Sequence, residues 1–308
     1  MYKLIRFFNQ NRKLIITILI IVLAVFIGLR LINHFVKIQN EQSLNNSQQE
    51  LESQIGMENR NFEISGGETR DPEFYKSEKQ VIDNFIFYCN NKNFEEAYNL
   101  LTQDCKEVMF PDLNTFIKEY GEKNFNTVKN YNIQAWNGNI YRVKIMEDLL
   151  ANGKTADEGY IEQYYTVYDD ELNINDYMGS NKYSNKTQEK ANVNVAVERI
   201  DFYIDDAIVK IKVTNNRETS IMLNTRDYAD NIYLSDDQNL KYVSILNEIE
   251  DDEFIIAPGE TKEVSIKISM PYTKAENVYS FSIDNMLANY EQYEQLGESR
   301  AIQFKIAL

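Results

Sequence analysis

Residues 90–125 read NNKNFEEAYNLLTQDCKEVMFPDLNTFIKEYGEKNF, and their apolar spacing sets the fold class of the first half of the chain. Phe94, Ala97, Tyr98, Leu100 and Leu101 recur at three and four, which predicts a short helix. Asn93 is its candidate N-cap, and Glu95-Glu96 fall in the first turn, where negative charge suits the helix dipole. Pro111 and Asp112 open another helix, in which Leu113, Phe116, Ile117 and Tyr120 repeat until Gly121 ends it. Working back, Val81, Ile82, Phe85, Ile86 and Cys89 form an amphipathic stripe that predicts a helix over 73–91, closed by the turn Asn90–Asn93. Working forward, the period shifts to two. Tyr131, Ile133 and Ala135 alternate towards Trp136; Ile140, Val143 and Ile145 mark a second strand; Tyr160–Tyr168 is aromatic and β-branched. Asn137-Gly138 and Asn152-Gly153 are hairpin signals between these runs. Three helices followed by long strands make an α+β domain over residues 74–178.

Residues 179–191, GSNKYSNKTQEKA, show no apolar period and read as a linker. Beyond them, residues 192–308 are nearly all β. Val193, Val195 and Val197 alternate, as do Ala207, Val209, Ile211 and Val213, and then Val264, Ile266 and Ile268. Shorter runs at Ile221–Leu223, Ile232–Leu234, Tyr242–Leu246, Ile255-Ile256, Val278–Ile283 and Ile302–Ile306 give about eight strands at the spacing of a β-sandwich. Asn285–Glu298, with Met286, Leu287, Tyr290 and Tyr293 at helical spacing, is a short helix or an insert before the last strand.

The N-terminal end has a different character. LIITILIIVLAVFIGLRLINHFV, residues 14–36, has the length and apolarity of a membrane-spanning helix, with Arg30 placed to reach the interface. Lys3, Arg6, Arg12 and Lys13 precede it without an acid, whereas the chain after Lys37 turns acidic. That asymmetry predicts a cytoplasmic tail at 1–13 and an extracytoplasmic location for everything after the anchor. No small-x-small cleavage site and no lipoprotein cysteine follow the apolar run, so an uncleaved single-pass anchor in a cell membrane is expected. Residues 37–73 form a stalk or linker. Its Leu44, Leu51 and Ile55 begin a helical stripe too short to define a coiled coil, and a flexible spacer fits the composition as well.

Charge and composition remove whole classes of function. The chain carries a formal charge of −16, and the first 37 residues hold six Lys and Arg with no Asp or Glu. The remainder therefore has 26 basic against 48 acidic residues, near −22, a surface that nucleic acid and anionic lipid repel. The acidic run Glu248–Glu253 lacks the glycine and alternating oxygen ligands of a calcium loop. The one histidine, His34, sits at the membrane boundary, so no His-based triad or metal site is expected in the exported part. If Cys89 and Cys105 lie on the two helices joined near Asn91, they are too far apart for a bridge, and neither has a histidine to activate it. No catalytic residue, cofactor or metal site is predicted. Carboxylate–tyrosine chemistry would have Tyr141, Tyr160, Tyr164, Tyr165 and Glu162 to draw on. Packing of these aromatics between helices and sheet is the simpler account. Trp136 is unique and lies beside a turn. With Tyr141, Tyr160 and Tyr164 it forms the candidate binding surface.

The segment at 90–125, with its Ala97-Tyr98-x-Leu100-Leu101 helix and the strands that follow, resembles the nuclear transport factor 2-like fold over residues 74–178, a third of the chain. That resemblance implies helices packed into the concave face of a curved sheet. Exported versions occur behind single anchors in bacterial envelope proteins, including assembly factors of type IV secretion and conjugation machines, and as the N-terminal module of some penicillin-binding proteins. The pair IVKIKVTNN (208–216) and IIAPGETKEVSIKI (255–268) resembles immunoglobulin-like extracellular domains, without their Cys-Trp-Cys core. Where some secretion relatives repeat the first fold, this chain has a sandwich. Together these imply a non-catalytic, membrane-anchored binding or scaffold protein of a bacterial envelope, with envelope proteins as partners and no nucleic acid. The alternatives are a small-ligand sensor that uses the α+β cavity and a carboxylate–tyrosine enzyme.

Overall fold

Helix α1 (Pro72–Asn90) buries Val81, Ile82, Phe85, Ile86 and Cys89, the stripe that the sequence predicts. The structure, a computed structural model, describes residues 72–146, 160–224, 229–245 and 251–308. All of these residues lie in one unit, Phe62–Leu308. The expected anchor at 14–36, the tail before it, most of the 37–73 stalk and the Asn152-Gly153 turn lie outside the described residues. Among the described residues, no helix is long and apolar enough to cross a membrane.

After α1 come α2 (Phe94–Asn99) and α3 (Gln103–Met109). Asn93 precedes α2 but its side chain makes no capping bond. The periodicity does not predict α3, because Cys105 is its one fully buried residue and no stripe develops. It is specified at its start instead, where Thr102 Oγ1 accepts the Cys105 N–H at 3.0 Å. Helix α4 starts at Leu113–Phe116, capped by Asp112, which accepts the Thr115 N–H at 2.9 Å. It then runs through a π turn at Ile117–Gly121 into a last turn at Glu122–Asn124. Gly121 therefore does not end the helix. Its role is close approach: a Cβ there would lie 2.7 Å from Phe94 Cε1. Gly121→Ala is expected to lower stability by about 1–3 kcal/mol through overpacking, although alanine is the better helix former. Urea unfolding measures this, and a stabilised variant would mean that Phe94 yields freely.

The first sheet is an antiparallel meander, β1 (Asn130–Asn137), β2 (Ile140–Met146), β3 (Tyr160–Tyr168) and β4 (Glu171–Asn173). The turn between β1 and β2 centres on Gly138-Asn139, one residue later than the Asn-Gly signal, with Gly138 at φ 54°. Leu100–Thr102 joins the far edge: Thr102 N–H donates to Leu172 O at 3.0 Å and Leu172 N–H to Leu100 O at 2.9 Å. This ties the α2–α3 connection to β4, and the helices fill one face of the sheet. Their shared core holds Phe85, Phe116, Tyr120, Phe125, Tyr141 and Tyr165.

Two more antiparallel sheets make the second half. One has the order β12–β7–β6–β5, built from β5 (Tyr177–Lys190), β6 (Val193–Tyr203), β7 (Asp206–Asn215) and β12 (Thr261–Ser269). The other contains β8 (Ile221–Met222), β9 (Ile232–Asp236), β10 (Lys241–Val243), β11 (Ile255–Ile256), β13 (Val278–Leu287) and β14 (Ala301–Ala307). Alternate residues of both, such as Val195, Val209 and Ile266 from one and Leu234, Phe281 and Phe304 from the other, meet in a common core. The ambiguous segment before the last strand holds a true helix, α5 (Tyr290–Leu296), with Asn289 capping its start and Gly297 in the left-handed conformation at its end.

Residues 179–191 are not a linker. Most of them lie in β5, which pairs with β6 from Tyr177 to Lys190. Its polarity reflects an edge position: most side chains after Met178 reach solvent, so backbone pairing leaves no apolar period to read. At its start Tyr177 belongs to the helical core and Met178 to the core between the sheets, so one strand enters both.

Candidate functional site

The pleat of β2 and β3 sorts the candidate residues onto two faces. Tyr141 pairs with Tyr165 and Val143 with Gln163, and these point to the helices; Arg142 pairs with Tyr164 and Lys144 with Glu162, and these point away. Tyr141 is thus not a surface residue. It is 1% exposed, and its hydroxyl donates to Glu78 of α1. Beside it, Tyr131 donates to Asp83 at 3.1 Å, so two carboxylates buried on α1 are held by phenols from the sheet.

Rings occupy the interior. Phe85 stands edge-on to Tyr165 at 5.9 Å and near Tyr120 at 6.0 Å, while Phe116 stacks on Tyr120 at 5.7 Å. Tyr120 donates to Gln163 Oε1 at 2.8 Å and shares a hydrogen bond with the Tyr165 hydroxyl. Burial, with smaller contributions from its neighbours, pushes the Tyr120 phenol well above its ordinary value; burial raises Tyr165 likewise. Cys89 and Cys105 are free and buried, and burial pushes the Cys105 thiol up to about 12. Both phenols are therefore neutral at physiological pH, and so is the Cys105 thiol. The tyrosine–glutamine cluster escaped sequence reasoning. The signal for it was the polar Gln163 on an otherwise apolar alternation.

The outer face carries the accessible groups. Arg142 Nη2 donates to Glu162 Oε2 at 2.8 Å, and Lys144 Nζ lies 3.5 Å from the same oxygen. Lys144 also sits 4.6 Å above the ring of Tyr160, which is 41% exposed. The Arg142 guanidinium, first among the causes, holds the Glu162 carboxyl below its usual range. Arg142 Nε is enclosed and has no hydrogen-bond partner among the described residues. Trp136 lies where the β1–β2 register shifts and meets Tyr164 edge to face at 5.3 Å. Both are half-buried against the core of the second half, so Trp136 joins the two halves instead of standing free. The Asp176 carboxylate accepts the Tyr164 N–H at 2.7 Å, and burial raises its pKa, reinforced by Asp205, Glu162 and Asp206. Of the four candidates, then, Trp136 and Tyr164 come together, Tyr160 shares their face, and Tyr141 belongs to the opposite one.

The chain matches no protein-family model and no curated protein. Parts of it are similar to several solved structures, three of which are as follows. The yjhA protein of Bacillus subtilis is 12% identical, over 42% of this chain and 99% of that one, with a TM-score of 0.30. A functionally unknown protein of Listeria monocytogenes is 8% identical, over 43% and 85%, at 0.31. A conserved hypothetical protein of Bacillus anthracis is 13% identical, over 42% and 97%, at 0.27. Likeness at these scores carries no argument about function.

Proposed function

We propose that this chain is a non-catalytic, membrane-anchored extracytoplasmic binding or scaffold protein of a bacterial envelope. In this reading residues 74–178 form a nuclear transport factor 2-like module and residues 192–308 an immunoglobulin-like one. The observation that carries it is the two-sided first sheet. The inner face is closed by Phe85, Phe116, Tyr120 and Tyr165, whereas the outer face presents Arg142, Lys144, Tyr160 and Glu162 to the surroundings. Arginine and tyrosine beside a half-buried tryptophan are the residue types that anchor protein–protein contacts. The apolar run at 14–36 and the basic residues before it supply the anchor and its orientation. The strong negative charge favours a protein partner over nucleic acid or a lipid surface. A setting within a secretion or conjugation complex fits this arrangement.

The test replaces position 160 or position 144 of the full-length protein, in its own membrane, with a photo-crosslinking residue. A discrete adduct at these positions and none at Lys274, with the protein retained in the membrane fraction after alkaline extraction, is the expected result. Absence of any adduct from the outer face, or release of the protein by alkali, would overturn the proposal.

A further inference from the structure

A groove of about 670 Å³ opens where the β5–β6 turn meets the last strand, lined by Lys190, Ala191, Asn192, Arg217 and the Arg300–Gln303 segment. Three of its lining residues are cations and none is acidic, in a chain of net charge −16. The surroundings hold two of these cations in place without neutralising them. Arg217 donates from Nε to Ala288 O at 3.2 Å and from Nη1 to Ala191 O at 2.8 Å, which leaves Nη2 uncommitted among the described residues. Lys190 Nζ donates to Gln303 O at 3.1 Å. Carbonyl oxygens fix their positions, yet each retains its full charge. The third, Arg300, is exposed, and its guanidinium makes no hydrogen bond or ion pair with any described residue. By contrast, Arg142 and Arg199 are both paired with carboxylates. Ala191 and Asn192, both at positive φ (52° and 60°), form the tight turn that brings Lys190 to the groove.

We propose that this groove is an anion site for one compact oxyanion, a carboxylate or a phosphate monoester, carried by an otherwise uncharged ligand. The planar fork of Arg300 matches the paired oxygens of either group, and two pre-positioned cations beside it reduce the ordering cost of binding. The strongly acidic remainder of the protein repels polyanions, so the ligand carries one or two charges at most. This inference is independent of the partner surface on the first sheet.

Isothermal titration of the full-length protein in an uncharged detergent tests it. The probes are inorganic phosphate, acetate, and a neutral peptide with a free C-terminal carboxylate beside its amidated form. Saturable binding of at least one anion is expected, weakened about tenfold or more by Arg300→Gln and less by Arg300→Lys. Lys274→Gln, outside the groove, should leave it unchanged. Preference for the free-carboxylate peptide over its amide would assign a chain end, and preference for phosphate a phosphate ester. The Arg300 side chain has no partner to lose among the described residues, so Arg300→Gln should keep the thermal transition. No saturable binding of any probe, or binding that Arg300→Gln leaves intact, would overturn the proposal.

Discussion

Arg199→Met is expected to destabilise the protein by about 3 kcal/mol, because it strands a buried carboxylate. The Arg199 side chain is 13% exposed and that of Asp201 is 1% exposed, and Nε binds Asp201 Oδ1 directly. Lys210 Nζ lies 3.1 Å from the other oxygen, near enough for attraction but too poorly aligned for a hydrogen bond. Because Lys210 stays, the expected cost sits at the low end for breaking a buried pair. Arg199 also reaches across to α3: Nη1 lies 3.5 Å from Glu107, and Lys182 of β5 holds Glu107 at 2.8 Å and Asp104 at 2.9 Å. This cluster joins the helical part to the sheets of the second half. A double variant, Arg199→Met with Asp201→Asn, removes the stranded charge and should cost clearly less than the two single changes added together. Additive losses, or a single variant within about 0.5 kcal/mol of the parent, would show that the guanidinium holds nothing in place.

The same cluster sets an acid limit. Burial alone would raise the Asp104 carboxyl, yet the Ser180 hydroxyl, Lys182 and Arg199 together hold it below its usual value of 3.8. The Lys182 ammonium does the same for Glu107, ordinarily at 4.5. Folded-state values below the unfolded ones mean stability that is present above about pH 4.5 and lost as the pH falls through the folded values. Arg199→Met removes part of what depresses Asp104, so its acid unfolding should begin at a higher pH than the parent's.

What the sequence could show follows from which face of each element is buried. The stripe Val81–Cys89 and the alternation Val193–Val197 and Ala207–Val213 are legible because one face is apolar throughout and the other is not. Helix α3 is not legible, since its specification is one threonine cap and one buried cysteine. β5 is hidden for the opposite reason: an edge strand solvated on its outer side needs only backbone partners, and its lysines read as a linker. Gly121 reads as punctuation, because a glycine that stops a helix and one that lets Phe94 approach it look the same in sequence. The candidate surface failed at Tyr141 by a single step of the pleat. In β2, odd-numbered residues from Tyr141 to Ile145 face the helices, and the register that decides this is fixed by pairing with β3.

Phe116→Ala is expected to cost about 3–5 kcal/mol, the largest single loss in the first half of the molecule. The ring is fully buried and meets five others: Phe110 at 5.4 Å, Tyr98 at 5.6 Å, Tyr120 at 5.7 Å, Phe85 at 6.3 Å and Phe94 at 6.4 Å. Each aromatic contact adds about 0.5–1.5 kcal/mol beyond area burial, and α1 is too extensively packed to collapse into the void. Phe116→Leu keeps most of the volume and should cost about half as much or less. The alanine variant also tests whether the space between helices and sheet is a chamber. If rings close it in the parent, benzene or indole should raise the melting temperature of Phe116→Ala and leave the parent unchanged. A parent stabilised by such ligands to the same degree would mean that the interior already admits small apolar molecules. The functional reading would then move from the outer face of the sheet to its interior.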